Sequence, residues 1–173
     1  MPAQTVGILL IVLSCSALGF GASFGLAGRV RNLREIQNMM EMLKGEIRYA
    51  SVPLQEAFAS VALRCPEPFA GFLEKTALEM GSRDGRTLAV ILKENSAVLQ
   101  NETGLRREDI ERFLRAGAGL GYLDQEMQLR MIGFYLEELE RECRQAEEEY
   151  QGKGKVYRCL GIMSGLFLAV VFL

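Results

Sequence analysis

Uncharged apolar runs occupy both ends of the chain, and a polar, charge-rich middle separates them. No charged side chain occurs in residues 1–28 or in residues 159–173. A helix needs roughly 20 apolar residues to cross a hydrocarbon core. The first run exceeds this length, and the second reaches it only when the three preceding residues join it and Arg158 extends its charge toward the interface. The pattern predicts an N-terminal transmembrane helix over residues 1–28 and a C-terminal apolar membrane helix over residues 156–173.

A cleaved secretory signal peptide is the alternative interpretation of the N-terminal run. Such a peptide begins with a basic region, whereas the first six residues carry no side-chain charge. The apolar run is also longer than the apolar core of an ordinary signal peptide. The sequence therefore favours an anchor that stays in the protein.

A helical repeat governs the middle of the chain, residues 29–155. Apolar residues recur there at alternating spacings of 3 and 4, most clearly at Leu33, Ile36, Met40, Leu43 and Ile47, and again at Leu129, Ile132, Leu136, Leu139, Cys143, Ala146 and Tyr150. This spacing places one apolar stripe along a helix. No stretch alternates apolar and polar residues for long enough to predict a strand.

Turn formers and capping residues divide the middle into six helical segments. They are predicted at about 30–50, 53–63, 67–80, 87–101, 108–118 and 124–150. Asp124 is predicted to cap the last segment, because its carboxylate can accept from the free N–H groups of the first turn. The glycines of Gln151–Gly154 predict a pliable joint before the C-terminal run. Short connections favour antiparallel neighbours, so the fold class is all-α: an antiparallel six-helix bundle, residues 29–155, flanked by the two membrane helices.

Six basic residues lie beside the two apolar runs. Arg29, Arg31 and Arg34 follow the first apolar run, and Lys153, Lys155 and Arg158 precede the uncharged residues of the second. Positive residues beside membrane helices stay on the cytoplasmic side, so both clusters predict a bundle in the cytosol. The same side chains can contact anionic lipid headgroups, at about 1 kcal/mol each. They are the predicted membrane-interface residues.

The residue inventory contains no recognisable catalytic or metal-binding pattern. The chain has no His, and its four cysteines are isolated from one another. Zinc sites and nucleophile–base pairs need partners that this sequence lacks. Lys and Arg form no stripe interleaved with aromatic residues, which would indicate nucleic-acid binding. We therefore predict a protein that is not an enzyme and that takes no cofactor, metal, nucleic acid or small-molecule substrate.

An acidic run marks the last helical segment. It comprises Glu137, Glu138, Glu140, Glu142, Glu147, Glu148 and Glu149. Such a run usually forms a solvated helix face that is supported by pairs with Arg four residues away. An acidic docking surface for a basic partner is the alternative interpretation.

Four sequence motifs follow one another along the chain. They are Met42-Leu-Lys-Gly-Glu-Ile-Arg-Tyr49, Pro53-Leu-Gln-Glu-Ala57, Leu120-Gly121 with Asp124 and Gln128, and Lys155-x-Tyr157-Arg158-x-Leu160-Gly161. Together with the basic residues after the first apolar run and the long acidic helix, they resemble the stage III sporulation protein AB family of endospore-forming bacteria. The resemblance covers essentially the whole length of the chain.

The resemblance implies a fold and a role. The family is similar to the cytosolic domains of the type II secretion F protein, an inner-membrane platform built as a six-helix antiparallel bundle. The implied function is a non-enzymatic, membrane-anchored platform or scaffold subunit of the sporulation channel complex between mother cell and forespore, required for endospore formation. The implied partners are the lipid membrane and other proteins of the stage III sporulation operon, including an ATPase-like member.

The resemblance also implies a location, the mother-cell membrane that faces the forespore, with the bundle on the cytosolic side. A second function class stays open beside it. The same architecture suits a membrane-tethered regulatory or signalling bundle that binds a soluble partner.

Overall fold

The computed structural model describes residues 2–50, 52–82 and 85–171, and side chains at 21, 24–50, 52–82, 85–154, 156, 159–160 and 163. All regular structure in these residues is helical, and they contain no strand. The helices are α1 (Pro2–Gly45), which continues into a π-helical turn (Glu46–Ala50), α2 (Leu54–Ala62), α3 (Phe69–Gly81), α4 (Leu88–Asn95), α5 (Ala97–Glu102), α6 (Arg107–Gly119) and α7 (Gln125–Val171).

The chain forms two compact units. The terminal unit consists of Met1–Val30 with Arg144–Leu173, and the bundle unit consists of Arg31–Cys143. Both long helices, α1 and α7, contribute residues to each unit.

The six predicted helical segments are confirmed, and the fourth is divided into two short helices. The division lies at Ser96, whose hydroxyl donates to the carbonyl oxygen of Lys93 at 2.7 Å. A local bond of this kind competes with the regular helical hydrogen bonds. Sequence reasoning missed the division, because one serine inside a helical pattern carries little signal.

The predicted apolar stripes form the core of the bundle unit. Leu33, Ile36, Met40, Leu43 and Ile47 are all buried, as are Ile132, Leu136, Leu139 and Cys143 of α7. One small internal cavity is lined by residues of five helices, including Met39, Phe58, Leu73, Leu92 and Phe113. Each large apolar side chain buried in this way contributes about 1.5–3 kcal/mol.

The start of α7 is tied to two other parts of the bundle unit. Asp124 is confirmed as its N-cap, because Oδ1 accepts from the N–H of Met127 at 2.8 Å. Gln125 Nε2 donates to the carbonyl oxygen of Ile47 in the π-helical turn at 2.6 Å. Gln128 Nε2 donates to the carbonyl oxygen of Leu120, just after α6, at 2.8 Å. These bonds satisfy backbone groups that helix ends leave without partners.

The pliable joint predicted at Gln151–Gly154 is wrong, because α7 passes through it without a break. Each glycine costs about 1 kcal/mol in a helix interior. Gly154 is buried, and tertiary packing of a helix outweighs local propensity.

Among the described side chains, no helix offers an apolar stretch long enough to cross a membrane. The predicted membrane helices, residues 1–28 and 156–173, fall mostly on side chains outside that set.

Candidate functional site

The terminal unit contains a buried charge cluster built by α1 and α7. Arg29 of α1 is only 6% exposed. Its Nη1 atom donates to Oε2 of Glu149 on α7 at 3.4 Å. Lys153, one turn further along α7, donates from Nζ to Oε1 of the same carboxylate at 3.2 Å. Glu149 therefore bridges two cations.

Several of the apolar side chains described in the terminal unit are exposed. Val156, Leu160 and Met163 are exposed on α7, and their spacings of 4 and 3 place them on one helix face. Phe24 of α1 is exposed as well. A row of exposed apolar side chains on a helix is a surface suited to lipid or to another apolar helix.

The six predicted membrane-interface residues have different surroundings. Arg29 and Lys153 meet at Glu149, whereas Arg31 and Arg34 are exposed on α1. The side chains of Lys155 and Arg158 lie outside those the structure describes. Contact with lipid remains a prediction for all six.

Sequence reasoning missed Glu149 as the partner of these charges. Its spacing of four residues from Lys153 was a readable signal for that pair. The contact with Arg29 was not readable, because 120 positions separate the two residues.

A second charge cluster joins α6 to α7 within the bundle unit. Arg112 Nη1 lies 2.6 Å from Oε1 of Glu142, and its Nε atom lies 3.9 Å from Oε1 of Glu138. Nearby, the buried carboxylate of Asp109 accepts from the backbone N–H of Arg106 at 2.9 Å, which caps the first turn of α6. Here one cation, Arg112, contacts two carboxylates, whereas at Glu149 one carboxylate contacts two cations.

The surroundings of this second cluster shift two pKa values upward. Burial alone would lower the pKa of Arg112, but the hydrogen bond to Glu142 and the nearby carboxylates raise it above the ordinary value. Burial raises the pKa of Tyr135, and the charges of Glu138 and Asp109 raise it further. Both groups therefore keep their protons throughout the physiological pH range.

The acidic run of α7 is only partly a solvated face. Glu137, Glu140 and Glu148 are exposed, as one interpretation of the sequence predicted. Glu138 and Glu142 instead lie against Arg112. The sequence could not show this, because the partner comes from another helix.

Two of the outer surfaces of the bundle unit combine apolar side chains with charged ones. The first, which we call the α2–α3 groove, has a volume of about 390 Å³ and is lined by Gln55, Ala59, Ser60, Ala62, Leu63, Ala70, Glu74, Ala77 and Leu78. Leu63 and Leu78 are 90% and 69% exposed. The second, which we call the α6–α7 patch, is lined by Arg112, Arg115, Ala116, Met131, Phe134, Tyr135 and Glu138. Phe134, which lies in this patch, is 70% exposed.

These surfaces suit contact with another protein better than chemistry on a substrate. Exposed aromatic and Arg side chains, such as Phe134 and Arg115 in the patch, are typical of protein interfaces. In the part of the chain that the structure describes, no group of three or more Cys, Asp or Glu is placed to hold a metal ion.

Comparison with known proteins connects this architecture to one family. The sequence profile of the family described as Stage III sporulation protein AB matches residues 4–173. The Stage III sporulation protein AB of Bacillus subtilis (strain 168) is 24% identical over 174 residues, covering 98% of this chain and 99% of that protein. A solved structure of Stage III sporulation protein AB superposes with a TM-score of 0.61 at 22% identity, over 71% of this chain and 96% of that chain.

Proposed function

Because the chain belongs to the stage III sporulation protein AB family, we propose that it is a non-enzymatic, membrane-anchored scaffold subunit of the channel complex between mother cell and forespore. The observation that carries the proposal is the extent of the family match, residues 4–173, which includes both apolar ends and the bundle between them. A scaffold needs an anchor and exposed surfaces for partners.

The terminal unit supports the proposed membrane anchor. Its exposed apolar row, Val156, Leu160 and Met163, would be solvated by lipid tails. Its buried Arg29 is paired with Glu149, as charges within membrane proteins usually are. A hydrocarbon surrounding favours this arrangement, in which apolar side chains face outward and a charged side chain is paired inside.

The basic residues beside the apolar runs support an orientation with the bundle in the mother-cell cytosol. Arg31 and Arg34 are exposed, and exposed basic side chains beside a membrane helix can contact anionic headgroups. On this proposal the partners are lipid and the other proteins of the stage III sporulation operon, an ATPase-like member among them.

A topology experiment tests the anchor and its orientation. A single cysteine replaces Glu102, which is exposed on α5, in a full chain that lacks the native cysteines. We expect it to resist a membrane-impermeant maleimide in intact sporulating cells and to react after permeabilisation, which is the control. Ready labelling in intact cells would overturn the cytosolic placement.

Removal of the flanking charges makes the same experiment sharper. Arg31, Arg34, Lys153, Lys155 and Arg158 are replaced together by Gln, and Arg29 is left in place because it is buried against Glu149. Since Lys and Arg near the helix ends set orientation, we expect a fraction of the chains to insert the other way and the cysteine at position 102 to be labelled in intact cells. Unchanged protection would show that these residues do not orient the chain.

Site-specific photocrosslinking tests the scaffold role. A photoreactive side chain at exposed Tyr122 should crosslink to membrane proteins of the channel complex, whereas one at fully buried Leu99 should not. Crosslinks only to a soluble protein would instead favour a regulatory bundle. Normal sporulation of cells without this chain would exclude the proposed role altogether.

A further inference from the structure

The α2–α3 groove and the α6–α7 patch both present exposed apolar side chains. The groove is lined by four alanines, Ala59, Ala62, Ala70 and Ala77, and has a volume of about 390 Å³. Pockets of ~300–1,000 Å³ accept small ligands, so this one has room for an aromatic ring. The patch presents Phe134, whose ring is mostly exposed.

The two surfaces are complementary in charge. Glu74 in the groove and Arg115 in the patch are both exposed, and neither has an ion-pair partner among the described side chains. The other charges beside them are already paired, Lys75 with Glu79 and Arg112 with Glu142. Each surface therefore has one unneutralised charge beside apolar side chains, and the two charges have opposite signs.

From these two observations we propose that copies of this chain associate head to tail. The α6–α7 patch of one copy docks on the α2–α3 groove of the next. Phe134 enters the alanine-lined groove beside Leu63 and Leu78, and Arg115 pairs with Glu74. An aromatic anchor next to an Arg is the composition typical of residues that dominate binding energy.

A two-fold contact of either surface with itself is disfavoured. Such a contact would place two copies of Glu74, or two copies of Arg115, near one another, and like charges across an interface cost several kcal/mol. The two surfaces share no residue, so contact between them is heterologous. A heterologous contact leaves a free groove at one end and a free patch at the other, and further copies add until a ring closes or a filament grows.

This inference concerns the outer surface of the bundle unit and does not depend on the proposed sporulation role. Failure of the topology and crosslinking experiments would leave it standing, and its own failure would leave the membrane anchor and the channel partners untouched.

Sedimentation of the full chain in a mild detergent tests the association. We expect the wild-type chain to form larger species as its concentration rises. Glu74→Arg and Arg115→Glu, each alone, should weaken association at least about tenfold, because each places like charges together. Phe134→Ala should weaken it comparably through loss of the aromatic anchor.

Charge exchange provides the decisive comparison. The double variant Glu74→Arg with Arg115→Glu restores opposite charges, and it should associate within about threefold of the wild type. An equimolar mixture of the two single variants should also recover association, because the intact patch of one fits the intact groove of the other. Such recovery in a mixture requires two different surfaces in contact.

Matched controls use the same charge changes at exposed positions outside both surfaces. Glu102→Arg on α5 and Lys93→Glu on α4 should associate like the wild type, and circular dichroism should show equal helix content for all variants. A wild-type chain that stays monomeric at every concentration would overturn the proposal. Single variants that associate normally, or a mixture that does not recover, would overturn it as well.

Discussion

The two compact units arrange apolar and charged side chains in opposite ways. In the bundle unit, Phe72, Leu92 and most of the other large apolar side chains are inside, whereas Leu63, Leu78 and Phe134 are exposed. In the described part of the terminal unit, Leu160 and Met163 are exposed, whereas Arg29 is buried. Burial of apolar surface away from water explains the first arrangement. The second is the one a hydrocarbon surrounding favours, because lipid tails solvate apolar side chains and charges must then pair inside.

The charge clusters of the two units also differ in the sign of the charge at their centre. In the terminal unit, one carboxylate, Glu149, serves Arg29 and Lys153. In the bundle unit, one cation, Arg112, serves Glu138 and Glu142. The clusters of the two units are therefore centred on charges of opposite sign.

The largest effect is expected in the core of the bundle unit. Leu139→Ala should lower the free energy of unfolding by about 2–5 kcal/mol, because it removes buried methyl groups and leaves a cavity. Urea melts of the full chain in detergent would measure this loss. The matched change in the terminal unit, Leu160→Ala at an exposed position, should alter stability by less than about 0.5 kcal/mol. Equal losses at the two positions would contradict the contrast between the units.

A smaller effect is expected at Glu149, the partly buried carboxylate of the terminal unit. Glu149→Gln leaves Arg29 buried without the carboxylate it now contacts. Removal of one partner of a buried pair is costly, and here we expect about 2–3 kcal/mol. Amide hydrogen exchange along residues 144–154 would report the loosening. Glu148→Gln, the exposed neighbour, is the control, and comparable exchange in the two variants would exclude a role for the pair.

The corresponding change in the bundle unit should cost less. Glu142→Gln removes the closer partner of Arg112, but Glu138 remains, and the side chain of Arg112 is partly exposed. We expect a loss of about 1 kcal/mol. The difference from wild type should shrink in ~1 M salt, where screening acts over about 3 Å. A loss of stability as large as that of Glu149→Gln would show that the difference in exposure does not set how much each cluster contributes to stability.

The last prediction concerns the reactivity of the native Cys65 thiol and involves no change in stability. Burial raises the pKa of this thiol from 9.0 to about 11, and the charge of Glu35 raises it further than Arg64 lowers it. Because the thiolate is the reactive form, alkylation near pH 8 should be about a hundredfold slower than at an exposed thiol of ordinary pKa. A cysteine placed at Glu102 supplies that reference. Alkylation of Cys65 should accelerate as the pH rises toward 11, and equal rates at pH 8 would contradict its burial.

Helix positions and inward faces were predictable because the signals for them are local. The repeats through Leu43 and Leu139 follow the helical period, and Asp124 carries the oxygen that a first turn needs. Local signals failed at Ser96 and Gly154, where a side-chain bond and tertiary packing decided the outcome. The family was also within reach of the sequence, because its motifs are short segments in a readable order.

The six basic residues were found from their positions beside the apolar runs, but their surroundings were not. Arg29 was predicted to face lipid headgroups, and the structure places it buried against Glu149. The groove that holds Glu74 and the patch that holds Arg115 had no signature in the sequence. Each surface combines side chains from two helices, and an exposed Leu or Phe is ordinary until its neighbours are known.

Periodicity, capping and the charge flanks follow from residues a few positions apart, so the chain alone settled its helices, the faces they bury and the family they belong to. Pairing of Arg29 with Glu149 and of Arg112 with Glu142 was decided by tertiary structure, as were the two outer surfaces. Those features depend on which helix faces become neighbours, and packing between distant segments sets that geometry. Whether a charged side chain is paired or exposed therefore depends on which helices the fold brings together.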